Sequence, residues 1–282
     1  MAKGEGKRKQ EHEAKHGCKR RVARWVAAVV VAVVVLACAG FGVYVNDYYH
    51  AQPSAVAALE GDAAVQVEHR DGYYVFAPTT TGADGNQTSD SSSADSQMTS
   101  SQPVRTQVGF IFYPGAKVEP AAYAPLARAF AEQGVLFVVL EPPCNLAILN
   151  QNQADGVQEA FPQVSQWYIG GHSLGGVVAA NYANKHADAF SGVVFLASYS
   201  TADLRDSGLR ALSVCGTNDG VLNWENYEKD KANLPEDAVE VKIEGGCHSY
   251  FADYGIQEGD GVPSIQRADQ IAQTVDAFLA FM

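Results

Sequence analysis

The sequence predicts one α/β domain built on a mostly parallel β-sheet flanked by helices, preceded by a single transmembrane helix. From residue 105 onward, short apolar runs of strand length alternate with stretches of helical periodicity. This alternation is typical of a parallel sheet that is covered by helices on both faces. Near the N-terminus, residues 26–45 form a run of 20 residues without a charge. At 1.5 Å per residue such a helix spans about 30 Å, the thickness of a bilayer's hydrocarbon core.

The charge is distributed unevenly along the 282 residues. Residues 1–24 hold nine Lys and Arg against three acids, a net charge of +6, whereas the whole chain carries −12. Residues 25–282 therefore carry −18. A domain this acidic repels phosphate backbones, which argues against nucleic acid as a partner. The basic tail stands directly before the apolar run, which favours a topological signal instead.

The segment order predicts how the chain meets the membrane. Trp25 and Tyr44 stand at the two ends of the apolar run, where aromatic rings prefer the interface. We expect a basic cytoplasmic tail at residues 1–24, a signal anchor at residues 25–45 and a linker at residues 46–65. The basic cluster next to the run comprises Lys19, Arg20, Arg21 and Arg24. The expected location is thus the cell membrane, single-pass, with the domain on the extracytoplasmic side.

Two other interpretations of the apolar run remain open. Residues 37–39, Ala-Cys-Ala, resemble the small-residue cleavage site of a signal peptide. Residues 35–38, Val-Leu-Ala-Cys, loosely resemble a bacterial lipoprotein box. All three interpretations export the domain.

Residues 66–282 are expected to form the α/β domain. Residues 66–78 alternate around Asp71-Gly72, which predicts a hairpin. Residues 79–104 have almost no apolar content and predict a disordered surface loop. Further strands are predicted at residues 108–113, 135–140, 167–170, 193–197, 212–215 and 239–243, and helices at residues 120–133, 174–186, about 224–233 and 265–282.

A five-residue motif carries the first chemical signal. Residues 171–175, Gly-His-Ser-Leu-Gly, match the pattern G-x-S-x-G between a predicted strand and a predicted helix. A nucleophile on such a sharp turn needs small residues two positions to either side. The helix N-terminus also favours a developing negative charge. Ser173 is therefore the predicted nucleophile, and His172 is expected to be a packing residue.

Two partners follow in the chain order that this turn predicts. Asp219 lies just beyond the strand at residues 212–215, and His248 lies just beyond the strand at residues 239–243. The carboxyl ends of parallel strands share one edge of a sheet, so these side chains are expected to converge there with Ser173. The sequence thus predicts a catalytic triad of Ser173, Asp219 and His248.

Backbone groups are expected to stabilise the oxyanion that attack by Ser173 creates. One N–H should come from Leu174, the residue after the nucleophile, and the other from the loop after the strand at residues 108–113. In that loop Ala116 is the favoured donor and Gly115 the next, with Gly115 letting the backbone approach the substrate carbonyl. Such a site needs no metal and no cofactor.

The room above the site also bears on the substrate. Only about 25 residues separate the strand at residues 135–140 from the nucleophile turn, too few for a large lid. Little or no cap domain is therefore expected, and an open site suits small or medium esters. Two interpretations are open for Asn145, Leu146 and Leu149: they border an acyl pocket, or they belong to ordinary core and loop.

The cysteines leave the redox state open. Cys144, Cys215 and Cys247 belong to the folded part, so one disulfide at most is possible. Cys215–Cys247 is the easier pair if their strands are neighbours, and three free thiols are the alternative. The spacing fits no zinc site.

Taken together, these residues resemble the α/β-hydrolase superfamily, and in particular its compact dienelactone-hydrolase-like and serine esterase branch. The resemblance spans about residues 65–282 and is carried by residues 112–118, 170–176, 216–220, 244–248 and 254–260. True dienelactone hydrolases use a cysteine nucleophile, whereas this chain has Ser173, so the lactone substrate is not implied. The expected function is serine-dependent hydrolysis of a small-molecule carboxylic ester through an acyl-enzyme. The alternatives are a cell-envelope acyltransferase and a non-catalytic surface binding protein on the same fold.

Overall fold

The computed structural model describes residues 3–79 and 108–282, with side chains from Arg24 onward. The chain divides into two compact units, a helical one that ends at Asp47 and a larger one that runs from Tyr48 to Met282. The loop expected to be disordered, residues 79–104, lies outside the described residues except for Thr79.

The first unit is one long helix, α1, at Lys3–Asn46. Its part Arg24–Asn46, 23 residues with a mean hydropathy of 2.8, is long and apolar enough to cross a membrane. A signal sequence near an N-terminus meets the same criterion of helix length and hydropathy. The helix by itself therefore leaves anchor and signal peptide open.

The second unit is built on one eight-stranded sheet. Its strands are β1 (Val65–Arg70), β2 (Tyr73–Pro78), β3 (Val108–Tyr113), β4 (Leu136–Leu140), β5 (Gln166–His172), β6 (Gly192–Leu196), β7 (Arg210–Gly216) and β8 (Val239–Ile243). They lie in the order β1-β2-β4-β3-β5-β6-β7-β8. β1 and β2 form the predicted antiparallel hairpin, β2 is antiparallel to β4, and all remaining neighbours are parallel. The mostly parallel sheet is as predicted.

Helices cover both faces of the sheet because side chains alternate along each buried strand. From β3, Phe110 and Phe112 point to the face that packs on α3 and α6, whereas Ile111 points to the face that packs on α4. The helices after α1 are α2 (Pro53–Ala57), α3 (Ala124–Glu132), α4 (Leu174–Lys185), α5 (Trp224–Asp230) and α6 (Arg267–Phe281). The short 3₁₀ helices are Pro120–Tyr123, Pro143–Asn145, Ala147–Leu149, Ala187–Ala189, Lys231–Asn233 and His248–Phe251.

The predicted helix at residues 120–133 is divided. A 3₁₀ turn, Pro120–Tyr123, leads into α3. Pro125 explains the division, because it lacks the N–H that a continuous α-helix would require and fits only in the first turn of α3.

Most of the expected linker, residues 46–65, is docked on the second compact unit. Residues 48–62, here called the strap, belong to the second compact unit. Tyr49 donates its N–H to the carbonyl of Lys117 at 2.7 Å and accepts the N–H of Glu119 at 2.9 Å. Other strap contacts are Gln52 N–H to the Asp253 carbonyl at 2.9 Å and Asp62 to Arg128 at 2.7 Å. The compact unit therefore begins near residue 48 rather than 66, because main-chain bonds dock the strap on it.

The connection between β4 and β5 holds only short 3₁₀ helices, Pro143–Asn145 and Ala147–Leu149. Within residues 48–79 and 108–282, no second compact unit stands over the sheet. The expectation of little or no cap is confirmed for this part of the chain.

The cysteines of the described segments are free, and the possible Cys215–Cys247 bridge is not formed. Cys144 is exposed, whereas Cys215 and Cys247 are buried. Burial raises the pKa of Cys215 to about 11 and that of Cys247 to about 12, so both remain protonated thiols at neutral pH.

Candidate active site

Ser173 occupies the sharp turn between β5 and α4. Its backbone lies at φ 53° and ψ −125°, a region that costs a non-glycine residue about 1–3 kcal/mol. Hydrogen bonds on both sides hold this conformation. The Ser173 N–H donates to the Leu196 carbonyl at 3.0 Å, and the Ser198 hydroxyl donates to the Ser173 carbonyl at 2.6 Å. The turn thus projects the Ser173 side chain beyond the carboxyl edge of the sheet.

The two glycines of the motif are required by space. A Cβ atom on Gly171 would lie 2.5 Å from the carbonyl oxygen of Tyr113. A Cβ atom on Gly175 would overlap the same oxygen still more closely. The prediction that the turn needs small residues at both positions is confirmed.

Asp219 and His248 form a buried pair at the ends of β7 and β8. His248 Nδ1 lies 2.9 Å from Asp219 Oδ2, and the two side chains are 1% and 0% exposed. The other carboxylate oxygen, Asp219 Oδ1, accepts the N–H groups of Val221 at 2.9 Å and Leu222 at 2.7 Å. An ionised carboxylate only accepts, so Nδ1 is the nitrogen that donates to Asp219, and in the neutral imidazole Nε2 is then the nitrogen with the lone pair.

Ser173 and His248 line one cavity, but the hydrogen bond between them is not formed. His248 Nε2 is buried and finds no hydrogen-bond partner among the side and main chains that the structure describes. The structure therefore brings His248 and Asp219 into contact and places Ser173 beside them in the same cavity. Bonds of this kind are often loose without substrate and tighten in the complex.

The loop after β3 differs from the expectation at Gly115. Its N–H donates to the hydroxyl of Tyr123 at 2.8 Å and is not free for a substrate. A Cβ atom there would lie 2.9 Å from Nδ1 of His172, so the glycine lets the loop pass close to buried side chains rather than to a substrate carbonyl. The N–H groups of Ala116 and Leu174 donate to no acceptor within the described segments. The geometry therefore favours Ala116 and Leu174 over Gly115 as candidate donors to an oxyanion.

Tyr123 and His172 form a second buried pair, directly behind the first. The Tyr123 hydroxyl lies 2.8 Å from His172 Nδ1, and the rings of His172 and His248 lie 4.4 Å apart. Burial, together with the nearby His248, holds the pKa of His172 well below its ordinary value, and burial raises the pKa of Tyr123. Since Gly115 donates to the Tyr123 oxygen, the Tyr123 proton is directed at the neutral His172. His172 packs as expected, whereas its partner Tyr123 is not indicated by the sequence.

The cavity at Ser173 has a volume of about 200 Å³. Its lining residues are Ser173, Leu174, Val177, Ala197, Ser198, Tyr199, Val221, Leu222, Asn223 and His248. The three predicted pocket residues, Asn145, Leu146 and Leu149, do not line this cavity. The main-chain carbonyl of Asn145 accepts the Lys117 N–H at 2.8 Å. Leu146 is buried, and Leu149 is 49% exposed. Much of the wall comes from the loops after β6 and β7, because the sheet order places β6 beside β5 and β7 beside β6.

Known proteins share this architecture. A CIB-like hydrolase from Thermoplasma acidophilum is 13% identical and covers 78% of this chain and 99% of its own, with a TM-score of 0.51. Est1E from Butyrivibrio proteoclasticus (12% identical, 77% and 98% covered, TM-score 0.50) and TT1662 from Thermus thermophilus (12%, 77% and 98%, TM-score 0.51) are similar. At such identities the likeness shows the fold alone. No curated protein sequence matches the chain.

The sequence itself carries the family assignment. The model of the alpha/beta hydrolase family matches residues 109–272, more than half of the chain. This range includes the turn at Ser173 and both members of the buried Asp219–His248 pair. The chain therefore belongs to the alpha/beta hydrolase family.

Proposed function

We propose that this hydrolase cleaves carboxylic esters with a small or medium acyl group, using Ser173 as nucleophile, His248 as general base and Asp219 as the residue that orients the imidazole. The observation that carries the proposal is the buried His248–Asp219 bond of 2.9 Å beside Ser173. It leaves the lone pair of His248 Nε2 available in the cavity that Ser173 lines.

The first half-reaction forms an acyl-enzyme. A small side-chain movement brings the Ser173 hydroxyl to His248 Nε2, which takes its proton as the oxygen attacks the ester carbonyl carbon. The resulting oxyanion accepts the N–H groups of Leu174, at the N-terminus of α4, and of Ala116, in the loop after β3. Each such donor contributes about 3 kcal/mol to transition-state stabilisation. The C–O bond to the alcohol then breaks, and His248 returns the proton to the leaving oxygen.

The second half-reaction repeats these steps with water. His248 takes a proton from water, whose oxygen attacks the acyl carbon, and the same N–H groups hold the second oxyanion. Collapse breaks the bond to Ser173, His248 returns its proton to the departing Ser173 oxygen, and the carboxylic acid is released. Asp219 keeps one tautomer of His248 throughout, because Oδ2 accepts from Nδ1 while main-chain N–H groups fix Oδ1.

The cavity supports a small, uncharged acyl group. Its volume of about 200 Å³ lies below the roughly 300–1,000 Å³ of pockets for drug-sized ligands. Apolar side chains such as Val177 and Leu222 line it, and no Asp, Glu, Lys or Arg of residues 24–79 and 108–282 does. A long lipid chain would have to extend beyond this cavity, and a charged acyl group meets no opposite charge in the described part of its wall.

We further infer that α1 anchors the enzyme in the membrane, with its basic end in the cytoplasm and the hydrolase unit outside. The apolar part Arg24–Asn46 and the positive charge before it support this orientation. Protease added to intact cells is expected to remove the hydrolase unit and to leave an N-terminal epitope tag protected. Protection of the whole chain would contradict the orientation.

An ester panel from acetyl to palmitoyl tests the activity. The wild type is expected to give the highest kcat/KM on short acyl chains, and Ser173→Ala to lose the activity. Ser191→Ala is a matched control, because Ser191 precedes β6 at the opposite edge of the sheet and should leave kcat/KM unchanged. Higher kcat/KM on long chains would contradict the pocket argument, and undiminished activity in Ser173→Ala would contradict the nucleophile.

A further inference from the structure

Asp260 joins the two loops that carry Asp219 and His248. It lies in the connection between the 3₁₀ helix His248–Phe251 and α6. Its Oδ1 atom accepts the N–H of Gly220 at 3.2 Å and the N–H of His248 at 3.2 Å. One carboxylate oxygen therefore binds the residue after Asp219 and the main chain of His248 itself.

The second oxygen of Asp260 fixes the same loop again. Oδ2 accepts the N–H of Ser249 at 2.8 Å and its hydroxyl at 2.6 Å. The N–H of Gly261 adds a further bond to Oδ1 at 2.8 Å. Every partner of this carboxylate is a donor, so an amide, which would turn an NH₂ group toward donors, is no substitute.

The charge state of Asp260 agrees with this surrounding. Burial alone would raise its pKa, but hydrogen bonds from Ser249 and from the Gly220 and His248 main chain outweigh burial and hold the pKa below the ordinary value. Asp260 is therefore an ionised acceptor at neutral pH. Bonds from N–H and O–H groups to a charged acceptor are stronger than those between neutral groups.

Close main-chain packing is an independent sign that the two loops are fitted to each other. A Cβ atom on Gly220 would lie 2.5 Å from the carbonyl oxygen of Gly259, next to Asp260. The Asn218 side chain also donates to the Val262 carbonyl at 2.8 Å. The Asp219 loop thus touches the Asp260 loop on both sides of the carboxylate.

We propose that Asp260 is the positioning residue of the site, which sets the imidazole of His248 against the carboxylate of Asp219 by holding the main chain of both loops. The catalytic part of this proposal rests on the proposed function. Asp260 acts through His248 and Asp219, because its own oxygens are occupied by main-chain and Ser249 donors. A misplacement of about 1 Å at a catalytic group lowers the rate by about 100-fold.

The test compares Asp260→Asn with the wild type and with Asp62→Asn in the full chain. Asp62 is a matched control, since it also accepts two main-chain N–H groups, from Ala64 and Val65, but lies outside the cavity wall. For Asp260→Asn we expect kcat per folded molecule to fall about 100-fold with KM within about threefold of wild type. For Asp62→Asn we expect kcat and KM to remain unchanged.

A second readout does not depend on activity. A proton shared between an imidazole Nδ1 and a carboxylate gives a far-downfield ¹H NMR resonance. We expect this resonance in the wild type and in Asp62→Asn, and its loss or displacement in Asp260→Asn. An unchanged resonance in Asp260→Asn would overturn the positioning role, whether or not the wild type hydrolyses esters.

A milder variant covers the case in which Asp260→Asn does not fold. Ser249→Ala removes one hydroxyl donor to Asp260 and leaves the carboxylate in place. We expect it to lower kcat about tenfold with KM unchanged and to shift the downfield resonance. Wild-type kcat together with an unshifted resonance would overturn the proposal, because a merely structural loop bond moves the melting temperature alone.

Discussion

The substitution Tyr123→Phe tests the buried pair behind the site. It removes one oxygen from a fully buried side chain and leaves the ring in place. Two groups then lose their partner, the N–H of Gly115 and Nδ1 of His172, both at 2.8 Å in the wild type. Neither gains access to water, because the surrounding core is closed.

The expected cost follows from these two groups. A buried polar group without a partner costs about 1–3 kcal/mol, so the free energy of unfolding should fall by about 2–6 kcal/mol. In a unit of this size 1 kcal/mol corresponds to about 2–4 °C, which gives a melting temperature lower by roughly 4–24 °C. Because Gly115 precedes Ala116, kcat should also fall, by up to about 100-fold if the oxyanion donor is displaced.

Thermal unfolding and ester hydrolysis measure the two effects. Tyr168→Phe is the matched control, because this side chain is also fully buried but its hydroxyl accepts from the partly exposed side chain of Gln166, at 2.9 Å, and its loss should cost less than about 1.5 kcal/mol. A Tyr123→Phe protein within about 0.5 kcal/mol of wild type would refute the reasoning that this hydroxyl is the partner of both groups.

Three further predictions concern the triad, the buried imidazole and the strap. Asp219→Asn should lower kcat by about 10⁴ with little change in KM, because the imidazole of His248 loses its productive tautomer. A decrease in kcat of less than tenfold would exclude Asp219 as the residue that orients His248. Since the pKa of His172 is held well below its ordinary value, the unfolded chain binds a proton in acid that the folded chain does not. Stability should therefore decline as the pH falls below about 6.5, and denaturant titrations should show a smaller decline in His172→Leu. Tyr49→Pro removes the N–H bonded to Lys117 and should lower the free energy of unfolding by about 1–3 kcal/mol, whereas a free linker would show no change in the melting curve.

The sequence predicted the features that depend on local patterns. Six predicted segments after residue 105 are strands of the sheet. Five are apolar because buried parallel strands are apolar on both faces, whereas β8 at the sheet edge alternates apolar and charged residues. The turn at Ser173 is predicted from the glycines on either side of it. In the structure a Cβ atom added to either glycine would collide with the carbonyl oxygen of Tyr113. The convergence of Asp219 and His248 was predicted from their places just beyond β7 and β8. In each case spacing along the chain determines position in the fold.

The features that the sequence did not predict depend on contacts between distant residues. Tyr123 reads as a core residue, and only the folded chain brings its hydroxyl to His172, 49 positions away. The strap reads as a linker because its docking depends on distant partners, the main chain of Lys117 and Glu119 for Tyr49 and the side chain of Arg128 for Asp62. The cavity wall includes Tyr199 and Leu222, whose proximity to Ser173 follows from the sheet order and not from either loop's own sequence.

Labelling with a fluorophosphonate, followed by digestion and mass spectrometry, tests the central claim most directly. Phosphonylation requires a serine hydroxyl activated by an imidazole, and so reports on Ser173 and His248 together. The expected result is one adduct per folded molecule, located on Ser173, absent in Ser173→Ala and formed much more slowly in Asp219→Asn. A folded wild-type protein that stays unlabelled, or that carries its adduct on another residue, would contradict the proposed triad.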